Sequence, residues 1–187
     1  MNMRAISGLK LTDDQLETLR SAASAAYPNE FCALLIGVDR PERKTGTTMA
    51  EVTRVVLADN VDQRPDRGFE LDPRVLVREL RSLREATRGG SRVGERLLGH
   101  VHSHPDAPAR PSARDLAQAH EAGQVWLIVP VRQGRVGTPR AFLAASDRKG
   151  LRKFEPIRID GVGTSGSRAP ARHSTTNSLI RRPARSR

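Results

Sequence analysis

Residues 31–38 (FCALLIGV) and 125–131 (VWLIVPV) are apolar at nearly every position and have the length of strands. A strand that is apolar on both sides needs cover on both faces, so the sheet containing them must lie inside a layered fold. Residues 4–10, 50–58, 96–103, 140–145 and 151–159 supply further strand patterns, and the turn-rich 39–48 joins 31–38 to 50–58 as a hairpin. Three helices are expected between them. The first begins at the capping-box pattern Thr12-x-x-Gln15, repeats Leu16, Leu19, Ala23 and Ala26 at helical spacing, and stops at Pro28. A second takes Asp72 as N-cap and Pro73 in its first turn, with Leu76, Leu80 and Leu83 as its core-facing stripe and Gly89-Gly90 as its release. A short third helix is read over 112–123, stopped by Gly123. Strands and helices mixed in this order predict an α+β fold, a mixed α/β sandwich with about six strands and about three helices.

Aromatic residues make up only 3% of the 187-residue chain, so aliphatic side chains must build that core. The single cysteine, Cys32, excludes an intrachain disulfide framework and a four-thiolate zinc site. A reducing, cytoplasmic setting follows as an expectation. No apolar run approaches the roughly 20 residues that span a bilayer, and the first residues lack the apolar segment of a secretory signal. The formal charge is +11, yet six arginines and no acid lie from Gly161 onward, which leaves +5 on the rest. Residues 161–187 therefore read as a basic, disordered appendage to a single domain at 1–160.

The chemistry concentrates in residues 99–115, GHVHSHPDAPARPSARD. Alternate positions on a strand face the same way, so His100, His102 and His104 project together, and any two or three of them could reach one ion. Imidazole nitrogen with a carboxylate favours zinc. Asp115 is the natural carboxylate, three residues beyond Ser112, although Ser-x-x-Asp is equally the pattern of a helix cap. Two histidines, one carboxylate and an open fourth position make a catalytic type of site, in which zinc lowers the pKa of bound water to about 7.

HSHPDAPARPSARD resembles the signature of the JAMM or MPN+ metallopeptidases: His-x-His-Pro, a spacer, then Ser-x-x-Asp. YPNEFCALLIG is similar to that family's first strand with its upstream glutamate, and 58–73 to its connecting segment, so the resemblance spans roughly 6–158. One departure is Ala33, where bacterial relatives often carry glycine; it adds a methyl group and removes no ligand. The resemblance implies the cytidine-deaminase-like MPN fold with a curved mixed sheet. It implies one zinc ion held by His102, His104 and Asp115, with Ser112 assisting the oxyanion. His100 then falls outside the ligand set, as a packing residue or one hydrogen-bonding nearby.

Spacing alone leaves Glu30, Glu70, Glu79, Glu85 and Glu95 as candidate general bases. Glu79 and Glu85 read as solvated charges on a helix, whereas Glu30 opens an apolar strand, and the resemblance selects Glu30. No Cys-His-Asn pattern supports Cys32 as a nucleophile. The implied reaction is hydrolysis of a peptide or isopeptide bond at the C-terminal tail of a ubiquitin-like or sulfur-carrier protein. Two other readings stand beside it: a noncatalytic MPN scaffold, and a nucleic-acid-associated protein that uses the basic tail. The scarcity of aromatics for base stacking counts against the latter.

Overall fold

The computed structural model describes residues 5–91, 94–146 and 152–161. In chain order the elements are β1 (Ile6–Lys10), α1 (Asp13–Ala26), β2 (Cys32–Pro41), β3 (Thr48–Ala58), α2 (Pro73–Arg88), β4 (Arg96–Pro105), α3 (Ala113–Gln118), β5 (Val125–Arg132), β6 (Arg135–Val136), β7 (Arg140–Ser146) and β8 (Arg152–Asp160). The appendage expected at 161–187 lies outside the described residues beyond Gly161.

The strands bond in the order β4-β2-β3-β1-β8-β7-β5, and β5 then returns to pair with β4. Seven strands thus close on themselves as a barrel-like sheet, and β6 is a short antiparallel partner of β5. This is one strand more than the expected count of about six, although each of the seven segments named from the sequence forms one of them. The added closure comes from β4, bonded by β2 on one edge and β5 on the other, and from β1, held in parallel between β3 and β8. A closed ring hides the backbone groups that an edge would expose, a gain that local sequence pattern does not encode. The expected mixture of parallel and antiparallel pairs is present, as is the β2–β3 hairpin.

Pairing sets Val101 beside Leu127 and His102 beside Ile128. Because neighbours along a strand face opposite ways, Val101, Val125, Leu127 and Val129 enter the main core with Leu35 and with Leu16 and Leu19 of α1. Trp126 and Ile128 join Cys32, Phe69, Ala109 and Phe142 in a second core on the histidine side. A register shift where β2 meets β4 falls at Gly99, whose φ is 156°. A Cβ there would lie 1.9 Å from the Val125 carbonyl oxygen, so only glycine fits this approach. The bulge allows Leu98 and Val101, three positions apart, to face the same core.

Both helix starts form as expected. The Thr12 hydroxyl accepts from the Gln15 N–H while the Gln15 side chain accepts from the Thr12 N–H, and the Asp72 carboxylate accepts from the Arg74 N–H. The inner face of α2 differs. Leu83 is buried, but Leu80 is 45% exposed, and Glu79 takes the inward place, where it accepts from Arg54 of β3 at 3.1 Å. Glu79 is therefore a buried ion-pair partner rather than a solvated charge, because β3 presents a half-buried arginine where an aliphatic contact was expected. The third helix is shorter than expected: α3 ends at Gln118 and Ala119 caps it, well before Gly123. No helix among the described residues is long and apolar enough to cross a membrane.

Candidate metal centre

His102, His104 and Asp115 converge although β4 and α3 are separate elements. All three are buried, and their ligand atoms lie within 4.8 Å of one another. The two histidine Nε2 atoms are 3.0 Å apart; Asp115 Oδ1 is 3.3 Å from that of His102 and Oδ2 is 3.5 Å from that of His104. Four ligands about 2.0–2.1 Å from a tetrahedral ion sit roughly 3.3–3.4 Å from each other, so this donor set fits one such ion.

Local bonds present these atoms. His104 Nδ1 donates to the Pro108 carbonyl at 3.0 Å, and since a carbonyl only accepts, the ring keeps its lone pair on Nε2. Asp115 is held by the cap of α3: Ser112 N donates to Asp115 Oδ2 at 2.5 Å, and Asp115 N donates to Ser112 Oγ at 3.1 Å. Cap and ligand presentation are thus one arrangement. Burial disfavours charge on His102 and holds its pKa below the ordinary value. Burial alone would favour the neutral acid at Asp115, but the adjoining His102 and His104 imidazoles hold its carboxyl well below the usual range.

Glu30, just before β2, is 8% exposed, and its Oε2 meets no partner among the described residues. Burial, reinforced by the charge of Asp115 and opposed by His104 and Arg114, pushes its carboxyl up to about 7. Its main chain is pinned on both sides. Glu30 N donates to the Pro65 carbonyl, and Asn60 Nδ2 donates to the Glu30 carbonyl at 2.9 Å. Ser103, between the two histidines, accepts from Phe31 N at 2.8 Å and so ties β4 to the start of β2.

Of the other glutamates, Glu79 serves Arg54, Glu95 accepts from Thr53 at 2.6 Å, and Glu70 and Glu85 are exposed. Cys32 donates to the Ala58 and Asp59 carbonyls, and burial pushes its thiol up to about 12, too high for a nucleophile at neutral pH. His100 lies outside the cluster. It meets Trp126 edge to face at a ring distance of 4.0 Å, and burial pushes its pKa down to about 3.

Three contributors lie outside the residues singled out by the sequence pattern. Asn60 bonds the Glu30 and Gly68 carbonyls through Nδ2 and the Asp62 and Glu70 N–H groups through Oδ1. Ser103 and Phe69 are the others. A serine inside a buried apolar strand was a visible signal for Ser103; Asn60 and Phe69 act across the fold and left none.

A sequence model of the prokaryotic homologs of the JAB domain matches residues 12–144. The desampylase of Haloferax volcanii is 33% identical over 116 residues, covering 62% of this chain and 73% of that protein. A probable TtuB-protein conjugate cleaving protease of Thermus thermophilus is 38% identical over 93 residues, covering 50% of this chain and 54% of that one. Among solved structures, a Desulfitobacterium hafniense protein is 31% identical with a TM-score of 0.58, covering 81% of this chain and 92% of the other.

Proposed function

Because this chain belongs to the prokaryotic homologs of the JAB domain, we propose that it is a zinc-dependent metallopeptidase acting on the C-terminal tail of a ubiquitin-like or sulfur-carrier protein. The observation that carries this reading is the buried His102–His104–Asp115 set with a buried, partnerless carboxylate oxygen on Glu30 nearby. The names of the two relatives, a desampylase and a conjugate-cleaving protease, support the substrate class.

His102, His104 and Asp115 would hold the zinc, which supplies Lewis-acid polarisation of the scissile carbonyl and an acidified water. Glu30 is the general base and then the general acid. Its oxygen takes one proton from the water that adds to the carbonyl carbon, and returns it to the leaving nitrogen as the C–N bond breaks. Burial raises the pKa of that carboxyl in the metal-free chain, which favours its accepting a proton at neutral pH. Ser112 serves twice: its Oγ lone pair caps Asp115 N, and its hydroxyl proton stays available to the oxyanion. The catalytic unit is residues 1–160, acting in the cytoplasm, with the basic segment 161–187 as an appendage.

The test is to incubate the zinc-loaded full chain, with and without chelator, with ubiquitin-fold carriers extended past a C-terminal Gly-Gly and to weigh the products. Loss of the extension only in the absence of chelator is the expected result. An intact extension in the zinc-loaded reaction, across carriers of both kinds, overturns the reading.

A further inference from the structure

Arg114 stands inside the Ser112-x-x-Asp115 unit and has no part in the chemistry above. Its guanidinium leaves α3 and crosses to the segment between β3 and α2, where Nη2 donates to the carboxylate of Asp62. Asp62 is nearly buried, with a side-chain exposure of 7%, while Arg114 keeps 37%. Gly68 makes the seat. A Cβ on residue 68 would stand 2.5 Å from Arg114 Cζ and 2.6 Å from Nε and Nη1, so any side chain there would displace the guanidinium.

The seat adjoins the proposed acid-base group. Asn60 Nδ2 donates both to the Gly68 carbonyl at 3.0 Å and to the Glu30 carbonyl at 2.9 Å, so one amide links the backbone beneath Arg114 to that of Glu30. The Asp62 end is equally prepared: its N–H donates to Asn60 Oδ1, and its own Oδ1 accepts from Arg64 N. The charges of Arg114 and Asp62 both act on Glu30, in opposite directions. A guanidinium has five N–H donors in a planar fork. Asp62 engages Nη2, and the half-exposed fork retains donors for a second carboxylate.

Resting on the peptidase reading, we infer that Arg114, seated on Gly68 and oriented by Asp62, is a subsite for the α-carboxylate of the leaving residue. The site is then built for a carrier extended by a single terminal amino acid. In such a substrate the carboxyl carbon lies about 2.5 Å from the nitrogen that receives the proton. Because the charge of Arg114 acts on the group delivering that proton, a carboxylate held this close to the nitrogen falls within reach of the same field. In an isopeptide to a lysine side chain, four methylenes and the α-carbon separate the same two atoms, and the contact with Arg114 is lost. Arg114 thus discriminates between two bonds that the reaction chemistry alone treats alike.

The experiment uses the zinc-loaded full chain and one ubiquitin-fold carrier in three forms: ending in Gly-Gly plus one amino acid with a free carboxylate, the same with a C-terminal amide, and joined through Gly-Gly to a lysine side chain. The free acid should exceed the other two in kcat/KM by about 10–100-fold, the range for a charge-assisted hydrogen-bond pair. In Arg114→Gln the acid-to-amide ratio should fall toward one through a raised KM for the acid, with zinc content maintained; Arg114→Lys should recover part of it. Gly68→Ala, which keeps the arginine but crowds its seat, should lower the same ratio. No preference in the wild-type chain, or equal losses on acid and amide in Arg114→Gln, overturns the subsite and reduces the Arg114–Asp62 pair to a structural clasp. Failure of the wild-type chain to cleave any form, repeated on a carrier of the other kind, overturns the peptidase reading, and the subsite with it.

Discussion

Phe69 lies flat on His102, with ring centroids 4.4 Å apart and planes 18° from parallel. The stack matters because His102 Nδ1 is buried without a hydrogen-bond partner among the described residues, whereas His104 is oriented through Pro108. Packing does for one imidazole what a hydrogen bond does for the other. Phe69→Ala should therefore lower zinc affinity by about tenfold, at the low end of losses seen when a ligand's supporting partner is removed. It should also cost about 3 kcal/mol of stability. Chelator competition on the folded variant measures the first and denaturant melts the second; unchanged zinc affinity would show that β4 alone orients His102.

His100 tests the division among the three histidines. It shares a face with His102 and His104, yet its ring is 6.0 Å from that of His102, and it lines a cavity of about 130 Å³ with Leu34, Phe69, Leu71 and Leu97. His100→Ala should retain about one zinc per chain, whereas His102→Ala and His104→Ala should bind it far more weakly. Metal content after gel filtration decides this, and loss of zinc from His100→Ala would place three imidazoles in the ligand set.

What could be read from the sequence and what could not divides along the range of the interaction. The caps at Thr12 and Asp72 and the shared face of His102 and His104 depend on residues a few positions apart, and they were legible. So was Ser112-x-x-Asp115, because its two hydrogen bonds span three residues. Ring closure was not legible, since β5 returning to β4 is a choice of partner rather than a pattern. Glu79 departs from the helical pattern because an amphipathic stripe assumes an apolar opposite face, and Arg54 of β3 changes what that face can accept. Asn60 sits in a segment without periodicity; nothing local distinguishes an asparagine that joins four backbone groups from one that faces water.

Asn60 is therefore a sensitive position. Asn60→Asp keeps an oxygen for the Asp62 and Glu70 N–H groups but replaces the donor to Glu30 and Gly68 with a second acceptor facing two carbonyls. Leaving partly buried carbonyls unpaired costs about 1–3 kcal/mol each, and the added charge lies close to Glu30. The expected result is a stability loss of about 3 kcal/mol and a fall in kcat, with zinc retained. Wild-type kcat in a destabilised Asn60→Asp would show that the bond to the Glu30 carbonyl does not position its side chain.

At Glu30 itself stability and function pull apart. In the metal-free chain its carboxyl rises from the ordinary 4.5 to about 7, chiefly through burial. Between these values the folded state holds a proton that the unfolded chain has released, so stability falls as pH rises from about 4.5 to 7, by up to about 3 kcal/mol. Glu30→Gln removes the ionisation while preserving shape. Its chelator-treated form should match wild type near pH 4 and exceed it by up to about 3 kcal/mol at pH 8, read from denaturant midpoints. Zinc-loaded Glu30→Gln should bind metal and lose cleavage by several orders of magnitude. In the wild type kcat/KM should rise with pH as Glu30 deprotonates, with an acid limb no higher than about 7, because a bound cation lowers the pKa of a neighbouring carboxyl. A variant that is less stable than wild type at pH 8, or that still cleaves, would remove Glu30 from the role of a buried carboxylate held ready for proton transfer.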